Sequence, residues 1–516
     1  MLQQQINRRT KSQNYTLSAP IGGLNVRDSL DTMPETDAIV MDNYLPQDTK
    51  IILRKGYVPY VKLGEKIETL LTYNSAEKKY FLACGGGKIW DISSSVEVTQ
   101  LKDKLSISDW QYCQFKDRLI MVNGADKPQV FYIKDNEPVV EDAEFEGEGL
   151  LTNKLINVAT IKQRLFFVEK GSLKAWYGDE VGNIQGTLIK FDLSTIMRQG
   201  GYLMSICSWT QDGGHGIDDL TAFISSEGEV AIYSGSDPSN IDDWNLRGVY
   251  RMSKPVGYHC AMQYQGDIVI ISEDGYIPLS KALSLDKANA SQIAFSDKIR
   301  GLVLNRTLHG KYKRGWQSII YGRMGYALFN VPVAEQYEQH VVNVNSGAWC
   351  RFTNIRSHCW GLFQDRLYFG SDKSVFLFDE GYSDNAIPIC GVVEQAYSNL
   401  GSANLKKIQL INPRTKASTR FALVVYTNMD FEERNLAYAE NINHATLSKW
   451  NHLKWSSLKS PIGTKWATLK GKIQSQWIAN SATGFKASVV FKTKTRGNLI
   501  EWYDTGFRYE QGNSIL

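Results

Sequence analysis

The residues whose types could do chemistry are few, and their spacing matches no catalytic motif closely. Gly85-Gly-Gly-Lys88 resembles a phosphate-binding loop, but it lacks the spaced first glycine and the Ser or Thr after the lysine that would hold Mg²⁺. It also stands where a hairpin turn is due, so we interpret it as a turn. The segment 211–219 collects His215 and three carboxylates, yet no second histidine follows at ligand spacing, and we interpret it as a connecting loop.

Two His-Cys pairs, His259-Cys260 and His358-Cys359, stand in apolar runs typical of strands. Neighbouring side chains in a strand point to opposite faces, so neither pair can chelate a metal from one side. GxSxG, HExxH, Walker A and paired CxxC motifs are missing from the sequence. We therefore expect no enzyme, no cofactor and no metal site. The sequence leaves open a pair of glycoside-cleaving carboxylates contributed by different strands.

The composition is that of a globular β-rich protein. In 516 residues, 43% hydrophobic and 22% charged residues exclude collagen-like and disordered chains, while 11% aromatics and 42 Gly favour strands and tight turns. No run approaches 18 apolar residues, so we expect no membrane span, and the polar start predicts no secretory signal. Seven Cys without a CxxC predict reduced, buried thiols in a protein made in a cytosol.

A repeated strand–turn–strand unit predicts the fold. Its clearest copies share a Phe/Ile-x-x-Arg-Leu hairpin, at 115–119, 161–165 and 363–367, with looser copies near 79, 221, 267 and 326. The mean step of about 48 residues with several strands per unit is typical of a β-propeller, here of about seven blades. We expect the leucines of these hairpins, Leu119, Leu165 and Leu367, in the core between blades. A β-sandwich with insertions is the structural alternative.

The flanks differ from this core and predict three regions. Residues 1–66 contain Gly and Pro residues typical of loops around one apolar stretch. Residues 67–389 are predicted to form the propeller, and residues 390–516 show a different β pattern. We expect the first and last regions to form a flanking β platform together, because both ends of a propeller leave it from a shared region. Four tryptophans are expected to pack the core of the last region: Trp450, Trp455, Trp466 and Trp477. Short helices are predicted within 280–290 and 296–304.

The charge of the chain is unevenly placed. Residues 401–516 contain 17 Lys or Arg against 7 Asp or Glu, a net +10, and since the whole chain carries +4, the first 400 residues carry −6. An acidic body with a basic end suggests that the two parts meet different partners. Six cations are the docking candidates: Lys406, Lys407, Arg414, Lys492, Lys494 and Arg496. The alternative is that these side chains form a solvated face.

Two long stretches carry a family resemblance. The first contains Ala19-Pro-Ile-Gly-Gly-Leu-Asn25, Met33-Pro34, Asp37-Ala38, Asp42-Asn43, Pro46 and Arg54-Lys-Gly-Tyr57. The second runs from Phe223 through Asp237-Pro238, Trp244 and Pro255-Val-Gly257 to Pro278. Together they resemble the tail nozzle (distal tail tube) proteins of short-tailed bacteriophages, over roughly residues 15–400. Residues 401–516 carry no motif of that family.

The resemblance implies a structural virion protein assembled in the host cytoplasm. In that family a β-propeller subunit forms a hexameric tube below the head–tail adaptor ring, and the tube retains and then conducts the genome DNA without sequence-specific binding. Tail fibre, tailspike or needle proteins are further partners that it implies, and it implies no catalytic residues. Two other functions stay open: a non-catalytic propeller scaffold that binds a protein partner, for which Trp90-Asp91 is an unrepeated WD-like element, and a glycan-cleaving propeller enzyme.

Overall fold

The computed structural model describes residues 12–212, 217–264, 266–282, 294–333, 336–417, 421–433 and 473–512. They belong to two compact units. The repeat unit comprises residues 59–340 and 354–378, and the flanking unit comprises residues 1–58, 341–353 and 379–516. The sequence placed the boundaries at 66/67 and 389/390. The flanking unit instead ends its first segment at residue 58, takes in 341–353 and resumes at 379.

The flanking unit contributes the first strands of the chain. They are β1 (Ser12–Ser18), β2 (Gly23–Leu24), β3 (Asp37–Asp42), β4 (Tyr44–Pro46) and β5 (Ile51–Leu53), followed by β6 (Tyr57–Lys62), which enters the repeat unit.

The repeat unit is a succession of small antiparallel sheets in chain order. The first sheet contains β7 (Ile67–Asn74), β8 (Lys79–Gly85), β9 (Lys88–Asp91) and β10 (Thr99–Lys102). The second contains β11 (Gln111–Phe115), β12 (Arg118–Val122), β13 (Gln129–Lys134) and β14 (Glu137–Asp142). The third contains β15 (Phe145–Glu146), β16 (Leu155–Ile161), β17 (Arg164–Glu169), β18 (Lys174–Gly178) and β19 (Gly186–Asp192). Within each sheet, consecutive strands are hydrogen-bonded neighbours, apart from β15, which pairs in parallel with β19.

The later sheets repeat this meander. The next two sheets contain β20 (Leu203–Asp212), β21 (Ile217–Ser225), β22 (Glu229–Ser234) and β23 (Asn245–Arg251), and then β24 (Ala261–Tyr264), β25 (Asp267–Ser272) and β26 (Gly275–Pro278). The strands β27 (Gln317–Tyr321), β28 (Tyr326–Val333) and β29 (Gln336–Asn343) follow as consecutive neighbours. After β30 (Trp349–Phe352), which belongs to the flanking unit, the last sheet contains β31 (Cys359–Phe363), β32 (Arg366–Gly370) and β33 (Ser374–Phe378). Within the described residues, the short helices α1 (Leu279–Ala282) and α2 (Arg300–Gly310) and 3-10 turns at Thr152–Lys154, Asp297–Ile299 and Gly322–Met324 connect them. The predicted helix at 296–304 therefore extends to Gly310, while most of the one at 280–290 lies outside the described residues.

The predicted hairpin turns are confirmed. Gly86 and Gly87 have φ of 55° and 72° between β8 and β9, so the glycine-rich segment is a turn. At 162–163 and 364–365, Lys-Gln and Gln-Asp adopt positive φ at both positions, although neither pair contains glycine. Two central residues with positive φ match the right-handed twist of the flanking strands, and this twist holds each Arg-Leu strand in register.

Alternation along the inner strands packs each sheet between its neighbours. Leu119 joins residues of the preceding sheet in one hydrophobic cluster, whereas Ile120 faces the following sheet in another. Leu165 and Phe166 divide in the same way. The prediction that Leu119, Leu165 and Leu367 are core residues is confirmed, since each is at most 1% exposed.

The series of sheets closes on itself. In the last sheet β6, which precedes β7 in the chain, pairs with β33, the final strand. That sheet also packs on the first, because Phe363 stacks on Phe81 at 5.0 Å and Thr72 donates a hydrogen bond to the carbonyl of Leu362 at 2.6 Å. A closed ring of meandering sheets is a β-propeller. The number of its blades stays a prediction.

The flanking unit is completed by strands from the end of the chain. They are β34 (Ile389–Gln395), β35 (Lys406–Lys416), β36 (Ala422–Met429), β37 (Ile473–Ser475), β38 (Ile478–Gly484), β39 (Ala487–Thr495) and β40 (Glu501–Gln511). One sheet has the order β37-β35-β40-β5-β4, with β1 on β40 and β38 on β35. In the other, β30, β3, β34, β39 and β36 are neighbours in that order, with β2 on β3.

The two sheets pack through aromatic side chains. Phe491 of β39 stacks on Trp502 of β40 at 4.4 Å, and Tyr44 meets Phe491 edge-on while its hydroxyl bonds to Thr493 at 2.8 Å. The prediction that Trp477 packs in the core of the last region is wrong, because this residue is 47% exposed. The other three, Trp450, Trp455 and Trp466, lie outside the described residues.

Candidate assembly surface

Residues of the first resembling stretch build a buried loop in the flanking unit. The side-chain amide of Asn25 donates to Asp37 and to Asp28, both at 2.8 Å, and its oxygen accepts the backbone N–H groups of Arg27 and Asp28 at 3.1 Å. Asn25 and Asp37 are almost without solvent exposure. Each polar group of Asn25 is therefore satisfied internally, which holds the loop in a single conformation.

A second buried network centres on Arg54 of the same stretch. Its guanidinium bonds to both carboxylate oxygens of Asp384, at 2.8 and 2.6 Å, and its Nε donates to Asn43 at 2.7 Å. Asn43 in turn donates to the hydroxyl of Thr353 and to the carbonyl of Cys390. Both members of the ion pair are at most 5% exposed. This network joins segments of the flanking unit that are more than 300 residues apart in the chain.

The six candidate docking cations lie on both sheets of the flanking unit. Lys406, Lys407 and Arg414 belong to β35, Lys492 and Lys494 to β39, and Arg496 follows β39 directly. They differ in how much of their charge is available at the surface.

Two of the six cations are committed cations, which means that contacts within the flanking unit already hold their charges. Lys406 is 1% exposed, and its ammonium donates to the carbonyls of Asn404 and Phe485 at 2.8 and 2.6 Å. Burial lowers the pKa of Lys406 below its ordinary value. Arg414 binds the Asp504 carboxylate of β40 with both arms of its guanidinium, although its side chain is half exposed. Neither residue fits the expectation of a free surface cation, because tertiary contacts already hold its charge.

Lys492, Lys494 and Arg496 form the clearest charged feature, here called the basic strip. They recur at every second position and so alternate with Phe491, which faces the core. The cross-strand partners of the two lysines are uncharged: Val392 and Val424 beside Lys492, and Cys390 and Ala422 beside Lys494. Lys494 and Arg496 are exposed, and Lys492 lies 5.5 Å from the ring centroid of Tyr426. Within the described residues, no carboxylate lies within ion-pair distance of any of the three.

Sequence reasoning named the residues of the basic strip as docking candidates together with Lys406, Lys407 and Arg414, and it did not separate the two groups. Lys406 and Lys407 are adjacent, and only tertiary structure makes one buried and the other exposed. Neither did the sequence single out Arg54, because its partner Asp384 is 330 positions away. The strand-like alternation 491–495 is the signal that could have isolated the strip.

The other residues that the sequence offered for chemistry are the cysteines and the segment 211–219. All seven cysteines are free thiols, four of them buried and three partly buried. In the described part of the chain no three His, Cys, Asp or Glu side chains are grouped to hold a metal ion, and no helix is long and apolar enough to cross a membrane. His215 of the segment 211–219 lies outside the described residues.

Comparison with known proteins gives no family. No protein-family model matches the chain, and no curated protein matches it. Among solved structures it is similar to two crystal structures of BBS1N in complex with ARL6DN, one soaked with mercury and one with lead. Each match has 8% identity and a TM-score of 0.39, and covers 64% of this chain and 96% or 99% of the other. The propeller assignment rests on the order, packing and closure of the sheets described above.

Proposed function

We propose that this chain is a structural subunit of the tail nozzle of a short-tailed bacteriophage. In this proposal the chain is not an enzyme. It assembles as a hexameric ring in the virion, below the head–tail adaptor, and the genome DNA passes through the ring during ejection. The observation that carries the proposal is the role of the first resembling stretch. Its residues Asn25, Asp37, Asn43 and Arg54 make the buried polar networks of the flanking unit, so the resemblance involves residues that define this unit.

The basic strip supports a docking role for the flanking unit. Lys494 and Arg496 are exposed and Lys492 is partly exposed, and in the described part of the chain no carboxylate forms an ion pair with any of them, although Lys492 acts on Glu394 through its charge. These cations can therefore meet an oppositely charged surface. Such complementarity raises the association rate and fixes register more than it adds affinity. Contacts of the fold already hold Lys406 and Arg414, and Lys407 stands across from Glu510 of β40. We therefore assign adaptor docking to Lys492, Lys494 and Arg496 rather than to all six cations.

The charge of the remaining chain suits DNA transit. Each Lys or Arg contact with a phosphate releases counterions and holds the strand, so a conducting wall should lack a strong basic surface. The net −6 of residues 1–400 is compatible with such a wall. The purified chain should consequently bind duplex DNA weakly. Tight, salt-sensitive binding in a fluorescence anisotropy titration would contradict a conducting role.

The assembly is tested by electron microscopy of the full chain, alone and mixed with tailless phage heads that carry the adaptor ring. We expect sixfold rings, and rings attached at the portal vertex of the heads. A monomeric disc that does not bind the heads would refute the nozzle proposal and favour a scaffold propeller.

The docking role has a separate test. The variant Lys492→Glu/Lys494→Glu/Arg496→Glu should remain folded and lose attachment to tailless heads. A matched control reverses three exposed cations of the repeat unit, Lys162, Lys190 and Arg323, and should attach normally. If the strip variant attaches as well as the control, the docking role is wrong even where sixfold rings form.

A further inference from the structure

The repeat unit contains two adjoining cavities of about 510 and 110 Å³, together called the inner-strand cavity. Both are lined by Asp109, Gln111, His259 and Arg314, so they adjoin at these side chains. Its wall comes from the first strands of several sheets and from the segments that lead into them, such as Thr69 of β7. Because different blades converge on it, the cavity is a product of the closed ring.

In the smaller of the two cavities, hydrogen bonds fix the side chains of the lining. His259 Nε2 lies 3.1 Å from the Asp109 carboxylate, and His358 lies between the hydroxyl of Tyr337 at 2.9 Å and Asp372 at 2.7 Å. Burial acts to raise the pKa of Asp109, but the hydrogen bond and charge of His259, with help from Arg314, hold it below its ordinary value. The floor therefore has a fixed carboxylate and oriented imidazole rings.

The rim of the larger cavity carries more positive than negative charge. Lys254 pairs with Glu227 at 2.5 Å, and Lys311 pairs with Glu273 at 2.9 Å, which leaves those charges balanced. Lys313 and Arg314 are exposed, and within the described residues neither side chain has a hydrogen bond or an ion pair, although the charge of Arg314 acts on Asp109. The rim thus presents two adjacent cations to the opening.

Aromatic side chains accompany these cations. Tyr258 and Trp316 line the larger cavity, and Tyr312 at its rim is 91% exposed, with the Lys311 ammonium 5.1 Å from its ring centroid. An aromatic surface beside cations and fixed acceptors can bind both the apolar and the polar parts of a peptide.

We propose that the inner-strand cavity binds an acidic peptide segment of a protein partner. A Glu or Asp carboxylate of the segment bonds to the forked guanidinium of Arg314 and is attracted by Lys313. The Asp109 carboxylate accepts N–H groups of the segment, whereas the Gln111 amide is held by Asn157 and Tyr258 and shapes the wall. The volume of about 510 Å³ lies within the range of ligand sites. The fixed Asp109 carboxylate of the lining can accept peptide N–H groups but has nothing to accept from a phosphate, which favours a peptide over a nucleic acid. The inference does not depend on the proposed nozzle function.

The test is a fluorescence anisotropy titration of the full chain with fluorescein-labelled hexaglutamate. We expect saturable binding that Lys313→Glu/Arg314→Glu weakens at least about tenfold, since a hydrogen bond to a charged group is typically worth that much. The control Lys190→Glu/Arg323→Glu changes the net charge equally, away from the cavity, and should bind within about twofold of the unchanged chain. Arg314→Lys should give an intermediate loss, because it keeps the charge but not the fork.

Three outcomes would overturn the proposal. An equal loss in the control variant would reduce the binding to net charge. Stronger binding of a labelled dT6 oligonucleotide, or displacement of hexaglutamate by inorganic phosphate, would assign the cavity to phosphates. The absence of saturable hexaglutamate binding by the folded chain would show that the cavity takes no acidic peptide. Folding of every variant is checked by circular dichroism.

Discussion

The repeat unit and the flanking unit are both built from strands, but they differ in the sequence distance between contacting residues. In the repeat unit, hairpins such as β11–β12 join residues a few positions apart, and each sheet packs on the next. In the flanking unit, β1 pairs with β40, and Arg54 binds Asp384 330 positions away. Closing distant segments costs more conformational entropy than closing local ones. The flanking unit therefore depends on a few strong long-range contacts, whereas the repeat unit divides its stability among many local ones.

The largest effect is expected where the flanking unit loses a partner of its buried ion pair. Asp384→Ala leaves the Arg54 guanidinium uncompensated, which should lower the free energy of unfolding by about 3–5 kcal/mol. The matched control Asp31→Ala removes an exposed carboxylate that pairs with Lys486 in the same unit, and should cost at most about 1 kcal/mol. Urea unfolding followed by tryptophan fluorescence measures both. Equal costs would mean that the buried network does not anchor the unit.

The second effect concerns the repeated core. Leu119→Ala should lower the free energy of unfolding by about 2–5 kcal/mol, because it opens a cavity between two sheets. Leu308 on α2 is 69% exposed, so Leu308→Ala should change the stability by no more than about 0.5 kcal/mol. Thermal unfolding of the two variants side by side checks the difference, and a cost as small for Leu119 as for Leu308 would contradict the core assignment.

One buried carboxyl in each unit should change the stability with pH, and the two should act in opposite directions. Burial acts to raise the pKa of Glu338 in the repeat unit, but His340 and Arg306 outweigh it and lower the pKa from 4.5 to about 2. A carboxyl with a lowered folded pKa adds stability that is full above 4.5 and is lost as the pH falls through 2. The difference corresponds to about 3 kcal/mol. Burial raises the pKa of Glu394 in the flanking unit, so its ionisation opposes folding as the pH rises above 4.5.

Unfolding free energies measured between pH 2 and pH 7 separate these two carboxyls. Glu338→Gln should flatten the loss of stability between pH 4.5 and pH 2. Glu394→Gln should leave that loss unchanged and reduce the penalty that develops above pH 4.5. If Glu338→Gln keeps the full acid slope, His340 and Arg306 do not hold that carboxyl ionised.

The smallest effect separates two adjacent lysines of β35. Lys406→Ala removes a buried ammonium that donates to two backbone carbonyls and should cost about 1–3 kcal/mol, whereas Lys407→Ala on the exposed face should change the stability by no more than about 0.5 kcal/mol. Differential scanning calorimetry of the two variants measures the contrast. Equal effects would place the ammonium of Lys406 in solvent.

Local patterns allowed the repeat unit to be predicted from the sequence. The Arg-Leu hairpins, the turn at Gly86 and Gly87 and the buried positions of Leu119, Leu165 and Leu367 all follow from side-chain types within a few residues of each other. Strand alternation and turn chemistry are short-range properties, so the sequence itself specifies them.

The flanking unit and the two candidate sites were decided by tertiary structure. Trp502 rather than Trp477 fills the core because β40 lies between β35 and β5. Lys406 is buried where the turn between β38 and β39 brings the Phe485 carbonyl to its ammonium. The inner-strand cavity likewise exists only where the first strands of different blades converge. Such contacts join residues that are tens to hundreds of positions apart. No local pattern of side chains encodes which of many equally suitable partners will meet, because that choice is made by the packing of the whole unit.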